Sequence, residues 1–215
     1  MKKIFVYGND QTLKNYKLAI EQCGAVACFS TEIREANSCE ALLLAGGGDM
    51  APFFYQQKET ACFNIDQKRD KDELELIQQF TKNERAIFGV CRGMQVINVA
   101  FGGDLLQDIK SPVLHAYQEK SGDQVHKITC REESFLSGLY GKEFAVNSAH
   151  HQGCQLPGDG LSYTAFAEDG ICEALQDETK RIYAVQFHPE RMSFGHKRND
   201  TVDGRLIWEY FIRQI

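Results

Sequence analysis

Short apolar runs alternate with helix-length amphipathic stretches through the first half of the chain, and this order constrains the fold more than any other feature. The apolar runs suit buried strands, and the stretches between them carry apolar residues at the spacing of a helix face. Such an order is typical of an α/β protein with a mostly parallel sheet covered by helices. Strands are predicted over residues 3–7, 25–29, 40–45 and 86–90, and helices over residues 12–23, 70–83 and 93–101.

The second half of the chain has a different pattern. Strands are predicted over residues 125–130, 143–147, 161–167, 171–176 and 182–187, followed by a helix over 201–213. Turn residues such as Glu168-Asp169-Gly170 join the last three strands, which predicts antiparallel hairpins and hence an antiparallel extension of the sheet. Because no linker or low-complexity tract divides the chain, residues 1–215 are predicted to form a single domain.

Composition limits the possible partners. Of the 215 residues, 43% are hydrophobic and 25% charged, as expected for a globular domain. Lys and Arg total 24 against 30 Asp and Glu, a formal net charge of −6, so nucleic acid is not an expected partner. No stretch has the roughly 20 apolar residues of a membrane span, and the start of the chain has no signal-peptide core. We therefore expect a cytoplasmic protein with no membrane partner.

The chain has eight cysteines, an unusual number. They include no Cys-x-x-Cys pair and no histidine at zinc-finger spacing, so no structural metal site is predicted and no cofactor is implied. Without a secretory signal, reduced thiols that pack as small hydrophobic groups are expected. Seven of the eight fit this interpretation, and the exception is Cys91.

Cys91 lies where the strand predicted to end at Val90 leads directly into a helix. Gly89 and Gly93 flank it with the Gly-x-nucleophile-x-Gly spacing of a nucleophile elbow, a strained turn that glycines allow. Ligands bind at this end of the strands in open α/β sheets. A helix N-terminus also stabilises negative charge, and the N–H of Arg92 would face an oxyanion. Cys91 is thus a candidate nucleophile, with a buried cysteine at a tight turn as the alternative.

A cysteine nucleophile needs a base, and the base needs a group that orients it. The last predicted strand runs into Phe187-His188-Pro189-Glu190. A residue before proline is held extended, so His188 is expected to project from the strand end, where Glu190 can accept from its ring. Alone this segment could be a simple turn. Together with Cys91 it predicts a Cys-His-Glu triad.

Three consecutive glycines, Gly46, Gly47 and Gly48, end another predicted strand. Such a run lets backbone N–H groups approach a ligand closely, and the N–H of Gly47 would supply the second donor of an oxyanion hole. A phosphate-binding loop is the alternative. It is disfavoured because the Lys-Ser/Thr pair of a P-loop and the spacing of a dinucleotide turn are both absent.

The segments around Cys91 and His188 resemble the class I glutamine amidotransferase domains, whose triad is Cys, His and Glu on a flavodoxin-like three-layer fold. Further segments are similar to the γ-glutamyl-γ-aminobutyrate hydrolase group, a γ-glutamyl hydrolase branch of that superfamily. They comprise Gly46-Gly47-Gly48-Asp49, Lys68-Arg69-Asp70, residues 98–103 with 106–109, the His-His-Gln segment over 146–152, and residues 169–174. The resemblance extends from about Leu42 to Glu190.

This resemblance implies a hydrolase of γ-glutamyl amides that forms a glutamyl thioester on Cys91. His188 and Glu190 complete the triad, and neither a metal nor a cofactor is implied. The expected substrate-binding residues are Gly46, Gln95, Ser148, His150, His151 and Gln152. The Arg69-Asp70 pair is interpreted as part of a helix start, with Asp70 near the N-terminus.

Two other functions stay open at this point. The chain could be the glutaminase subunit of a two-chain amidotransferase that delivers ammonia to a synthase partner, or a silent binding module, which would lack a triad member. The His-His-Gln segment favours a stand-alone hydrolase with a small-molecule γ-glutamyl substrate. The released amine is not identified by the sequence, and a homodimer is possible.

Overall fold

The protein is described by a computed structural model of residues 1–215. Its strands are β1 (Lys3–Tyr7), β2 (Val26–Ser30), β3 (Ala41–Leu44), β4 (Ala86–Val90), β5 (Leu105–Leu106), β6 (Gln124–Cys130), β7 (Glu143–Ser148), β8 (Gly153–Cys154), β9 (Ser162–Ala167), β10 (Cys172–Asp177) and β11 (Ile182–Val185). Its α-helices are α1 (Lys14–Gln22), α2 (Gln67–Lys82), α3 (Arg92–Ala100), α4 (Pro112–His115), α5 (Phe135–Tyr140) and α6 (Arg205–Arg213). Short 3₁₀ turns lie at Ile33–Ser38, Pro52–Tyr55, Pro189–Arg191 and Phe194–His196.

Nine strands form one sheet in the order β2-β1-β3-β4-β11-β10-β9-β6-β7. The five strands from β2 to β11 are parallel to one another, and those from β11 to β7 pair antiparallel. The predicted mostly parallel sheet with an antiparallel extension is therefore confirmed. Strands β4 and β11 are neighbours, so their carboxyl ends bring Cys91 and His188 together.

Helices cover both faces of the sheet, as predicted. Residues on each strand alternate between the faces: Leu43 packs in a core cluster of 28 buried residues with helices α1, α5 and α6, whereas Leu42 packs in a cluster of 24 with α2 and α3. Trp208 of α6 is fully buried, and its ring lies 5.4 Å from that of Phe88, edge to face. This two-sided burial explains why the central strands are apolar throughout.

Several helix boundaries differ from the predictions, and at α2 a side-chain cap is the reason. Helix α2 begins at Gln67, three residues before the predicted start, because the Asp66 carboxylate accepts from Arg69 N–H at 3.0 Å. The predicted start of this helix at Asp70 is thus wrong, although Asp70 does lie in its first turn. Helix α6 begins at Arg205 rather than 201, and α4 and α5 were not predicted.

The eight cysteines are all free thiols, five of them buried. None of the helices combines the length and apolar character needed to cross a membrane.

Candidate active site

The chain turns sharply at Cys91, between β4 and α3. Cys91 has φ 54° and ψ −109°, a conformation in which an L-residue is strained. Close packing requires the flanking glycines: a Cβ on Gly93 would overlap the carbonyl oxygen of Leu44, and one on Gly89 would lie 2.7 Å from the carbonyl carbon of Gly93. The Cys91 N–H donates to Val185 O of β11 at 2.8 Å. The sequence therefore forms the tight strand-to-helix turn that its glycine spacing predicts.

His188 lies three residues beyond the end of this neighbouring strand, β11. Its Nδ1 lies 2.7 Å from Glu190 Oε1, and its backbone N–H donates to Asn147 Oδ1 of β7 at 2.9 Å. Both side chains are nearly fully buried, with exposed fractions of 3% for His188 and 2% for Glu190. Since the Nδ1 atom faces the carboxylate, Nε2 is the ring nitrogen left for another partner.

The pKa values of His188 and Glu190 are shifted in opposite directions. Burial lowers the pKa of His188, but the Glu190 carboxylate and the adjacent Cys91 outweigh it and raise that pKa to about 10. Burial raises the pKa of Glu190, and the neighbouring His188 and Arg191 outweigh it in turn, so this pKa lies below its ordinary value. At neutral pH the pair is thus an imidazolium and a carboxylate beside Cys91.

The glycine run after β3 borders the same point. A Cβ on Gly46 would lie 3.1 Å from His188 Cε1 and 3.7 Å from Cys91 Cβ, so both side chains surround this residue. The Gly46 N–H is occupied, because it donates to the Tyr16 hydroxyl at 3.0 Å. The Gly47 N–H has no hydrogen-bond partner, and Arg92 opens α3, so its N–H has no acceptor within the helix. Two backbone donors beside Cys91 are therefore free to bind an oxygen.

Glutamine side chains also pack around α3, the helix that begins at the Cys91 turn. Gln95 Nε2 lies 3.2 Å from Gln152 O and 3.3 Å from Gln186 Oε1, and Gln186 Nε2 reaches Cys91 Sγ at 3.6 Å. Gln152 Nε2 bonds Cys62 Sγ at 3.3 Å, while its Oε1 is buried without a partner. These amides connect the loop after β7 to Cys91.

The other expected substrate-binding residues of this loop have different surroundings. The hydroxyl of Ser148 donates to His115 O at 3.0 Å, and the ring of His150 faces Glu173 at 3.5 Å. Both residues are buried and support the loop that carries Gln152. A direct substrate contact by Ser148 or His150 stays a prediction.

His151 turns away from them, towards the glycine run. Its Nε2 lies 3.0 Å from Asp49 Oδ2, and its ring packs 5.3 Å from that of Phe63. The hydrogen bond with Asp49 raises the pKa of His151, although partial burial opposes it. His151 therefore contacts the loop that begins at Gly46 and leaves part of its side chain, 26%, exposed.

A pocket of about 390 Å³ opens beside the His188–Glu190 pair. Its wall includes His188, Glu190 and the two glycines Gly46 and Gly47, with Thr12–Tyr16 forming the opposite side. The buried ion pair is therefore next to a cavity large enough for a small molecule.

A buried network of ion pairs joins the turn at Cys91 to helix α2. The Arg92 guanidinium binds the carboxylates of Asp70 and Glu73 on α2, and all three side chains are at most 3% exposed. Arg69 bonds Glu73 at 2.8 Å and donates to Ala45 O at 2.8 Å, next to the glycine run. The Arg69-Asp70 pair thus holds α2 against the two loops of the site.

Three residues of this arrangement were missed by the sequence reasoning. Asn147 lies inside a segment that the resemblance singled out, and Gln186 lies on the predicted last strand just before the segment that starts at Phe187; their amide side chains were the available signal. Tyr16 has no such signal, since a buried tyrosine on an amphipathic helix is expected to pack in the core whether or not it contacts a site. The best candidate metal ligands, His115, His150 and Glu173, have ligand atoms within 4.8 Å of one another, away from Cys91.

Solved structures share the fold of this chain. A candidate GMP synthase subunit from Thermoplasma acidophilum aligns over 100% of this chain and 94% of that chain, with a TM-score of 0.73 and 22% identity. The glutaminase domain of Trypanosoma brucei CTPS, bound to acivicin, aligns over 100% and 93%, with a TM-score of 0.68 and 14% identity. The fold is therefore that of the class I glutamine amidotransferase-like proteins.

Sequence relatives identify the family. The model of the family Peptidase C26 matches residues 10–190, and the chain belongs to that family. YvdE of Lactococcus lactis subsp. lactis, named a candidate glutamine amidotransferase-like protein, is 36% identical over 156 residues, 70% of this chain and just under two thirds, 66%, of that protein. Protein NtpR of Enterococcus hirae is 34% identical over 184 residues, 81% of this chain and 74% of that one. The chloroplastic anthranilate synthase beta subunit 2 of Arabidopsis thaliana is 35% identical over 135 residues, 60% and 44% of the two chains.

Proposed function

We propose that the protein is a stand-alone cysteine hydrolase that cleaves the γ-glutamyl amide bond of a small γ-glutamyl amine or peptide and releases glutamate. The observation that carries this proposal is the buried ion pair of His188 and Glu190, 2.7 Å apart, beside Cys91 at its strained turn. Membership of the Peptidase C26 family supports hydrolysis of a carbon–nitrogen bond.

In the first half of the reaction, Cys91 attacks the γ-carbonyl as a thiolate paired with the His188 imidazolium. A sulfur–carbon bond forms, and the electron pair of the carbonyl moves to its oxygen. The free N–H groups of Gly47 and Arg92 stabilise that oxyanion, and one such donor contributes about 3 kcal/mol in enzymes where it has been removed. Collapse of this intermediate breaks the carbon–nitrogen bond, and His188 Nε2 gives its proton to the leaving amine.

In the second half, water hydrolyses the glutamyl thioester. Neutral His188 takes a proton from the water, a carbon–oxygen bond forms, and the carbon–sulfur bond breaks to release glutamate and the thiolate. His188 is then protonated again, as at the start. Glu190 keeps the ring oriented and favours its charged form throughout.

The glutamyl part of the substrate is assigned to the residues around the elbow. The proposed contacts are Gly46, which lies against Cys91 and His188, Gln95 and Gln152, whose amides lead towards Cys91, and His151, which contacts the loop that begins at Gly46. Ser148 and His150 are buried and hold the loop after β7, which carries His151 and Gln152. The released amine is left open, since none of these contacts selects one.

Glutamate release from glutamine and from a panel of γ-glutamyl amines tests the proposal. Wild type is expected to release glutamate from at least one γ-glutamyl amine without a second protein, and Cys91→Ala is expected to release none above background. Cys28→Ala, which changes a half-buried thiol on β2, is the matched control and should behave as wild type. Comparable release by wild type and Cys91→Ala would exclude Cys91 as the nucleophile.

A glutaminase subunit of a two-chain amidotransferase is the second candidate. It is favoured by the similarity to the anthranilate synthase beta subunit, which is by name a subunit of a larger enzyme. It would hydrolyse glutamine alone, slowly, and faster when a synthase partner and its acceptor substrate bind. Activity confined to glutamine and dependent on a second protein would favour this candidate over the stand-alone hydrolase.

A further inference from the structure

Three histidines surround one glutamate in the antiparallel half of the molecule. His115 ends α4, His126 lies on β6, His150 follows β7 and Glu173 lies on β10. All are buried, with exposed fractions of 0%, 6%, 6% and 0% in that order. None of these side chains takes part in the proposed reaction, so their burial needs a separate explanation.

The ring nitrogens converge on a single carboxylate oxygen. Glu173 Oε1 lies 3.4 Å from His115 Nδ1, 3.4 Å from His126 Nε2 and 3.5 Å from His150 Nε2. These four atoms, and Glu173 Oε2, make no well-formed hydrogen bond with any other group. Burying a polar atom without a hydrogen-bond partner costs free energy. Several such atoms that face one another therefore indicate that a bound ion or other group satisfies them.

The second nitrogen of each ring shows where its proton lies. Each donates to an oxygen outside the cluster, namely from His115 Nε2 to Asp169 Oδ2 at 3.0 Å, from His126 Nδ1 to Leu114 O at 3.2 Å and from His150 Nδ1 to Gln152 O at 2.9 Å. In the neutral rings the nitrogens that face Glu173 therefore present lone pairs. A ring N–H bonded to a carbonyl or carboxylate is the usual outer contact of a metal-binding histidine.

We propose that this cluster binds a zinc ion, with His115 Nδ1, His150 Nε2 and Glu173 as ligands, whose ligand atoms all lie within 4.8 Å of one another. Zinc takes nitrogen and oxygen ligands at about 2.0–2.1 Å, which places tetrahedral ligands about 3.3 Å apart. The separations of 3.4 and 3.5 Å between the carboxylate oxygen and these two nitrogens match that geometry. His126 Nε2 lies 3.4 Å from the same carboxylate oxygen, beside the proposed ligands.

The ion would hold together segments that pack near the elbow without touching Cys91. It links α4 and β10 to the loop after β7. The His150 Nδ1–H bonds Gln152 O, which also accepts from Gln95 Nε2 on the elbow helix. We therefore expect the ion to act as a positioning element for this loop, and its presence does not depend on the reaction proposed above.

Metal analysis of protein purified without a metal-affinity tag tests the site. Wild type is expected to hold about one equivalent of zinc per chain. In Glu173→Gln, which keeps the shape of the side chain, the zinc content per chain is expected to fall by about tenfold or more. His196→Ala, at an exposed histidine, is the matched control and should keep the zinc of wild type. Zinc retained in Glu173→Gln would overturn the assignment, because the ion would then be bound elsewhere.

A second measurement on wild type does not depend on the folding of any variant. After chelation, thermal unfolding should shift to lower temperature, and zinc should restore it, because an ion that binds only the folded state stabilises that state. Cobalt added to the chelated protein should give the intense visible absorption of a tetrahedral site. Wild type with no bound transition metal, no cobalt absorption and no thermal shift would overturn the proposal and leave protons as the only cations in the cluster.

Discussion

The imidazole of His188 has a different neighbour for each of its nitrogens. Nδ1 faces Glu190 at 2.7 Å, and Nε2 is left for Cys91. The carboxylate therefore fixes the tautomer of the ring and, with Cys91, raises its pKa to about 10 although burial opposes this. At the scale of single residues, the proposed reaction requires this acceptor to orient the ring and to favour its charged form.

Replacing that acceptor tests its role. In Glu190→Gln the ring keeps a hydrogen-bond partner but loses the charge that favours the imidazolium, so glutamate release should fall roughly 10²–10⁴-fold in kcat/KM. Steady-state kinetics on the best γ-glutamyl amine measure the change. Glu168→Gln, at an exposed position, serves as control. A Glu190→Gln rate within about twofold of wild type would contradict an orienting role for Glu190.

At the scale of elements, the elbow is held by the close approach of α3 to β3. Gly93 lies against the carbonyl oxygen of Leu44, a backbone atom that cannot move aside without shifting β3. Arg92 joins the same turn to Asp70 and Glu73 on α2. The position of Cys91 thus depends on three packed elements rather than on the turn alone.

Two glycine substitutions separate packing from backbone entropy. Gly93→Ala would force α3 away from β3, and we expect a loss of about 1–3 kcal/mol in the free energy of unfolding. Gly138→Ala lies within α5 with no atom within 4 Å of the new methyl group, so a gain of about 0.4–1 kcal/mol is expected. Urea unfolding measures both. Equal effects of the two substitutions would contradict the close packing at the elbow.

Removing the buried cation tests the support behind the turn. Arg92→Met would leave Asp70 buried without a counter-ion and Glu73 paired with Arg69 alone, with an expected loss of about 3–5 kcal/mol. Lys68→Met is the matched control: it removes the pair between Lys68, 70% exposed, and Asp72 on the same helix. That pair should contribute at most about 1 kcal/mol. Similar losses in both variants, measured by urea unfolding, would show that burial does not decide the effect.

At the scale of the whole molecule, a single nine-stranded sheet joins both halves of the chain. The parallel half places Cys91 and His188, and the antiparallel half supplies Asn147, which holds the His188 backbone, together with the histidine cluster. A single domain over residues 1–215 stays a prediction. Because these residues lie on one sheet, we expect the protonation of the site and the free energy of unfolding of the chain to depend on each other.

The protonation of His188 predicts how stability changes with pH. Its pKa is about 10 in the folded protein, above the ordinary 6.5, so its stabilising contribution is complete below about 6.5 and is lost as the pH rises through about 10. The unfolding free energy of wild type minus that of His188→Gln should fall across this range, by up to about 1.4 kcal/mol per pH unit. Denaturant titrations at several pH values measure this difference, and a constant value would contradict the prediction.

Local pattern accounted for much of the fold. The limits of β1 and β4 were predicted to the residue, because both are short apolar runs bounded by polar residues or by the elbow. The stop of α1 at Gly24, with φ 79°, and the turn at Cys91 also follow from glycine positions. Where Asp66 caps α2, the competing acidic residue Asp70 misled the prediction, since nothing local shows that Asp70 binds a buried arginine.

Long-range contacts set the limit of sequence reasoning. The bond from His188 N–H to Asn147, the packing of His151 against Phe63 and the convergence of three histidines on Glu173 join distant segments. Spacing rules for metal sites examine neighbours in sequence, so they predicted no metal here. The resemblance did single out the segments containing Asn147, His150 and Glu173, but the register of the sheet brings them together.

Mass spectrometry of the enzyme quenched during turnover tests the central claim most directly. With a γ-glutamyl amine as substrate, the account predicts a population of chains heavier by one glutamyl group, carried on Cys91 and removed by hydroxylamine as a thioester is. Cys28→Ala should show the same adduct, and Cys91→Ala none. Turnover of the substrate with a glutamyl adduct on another residue, or with undiminished glutamate release by Cys91→Ala, would contradict it.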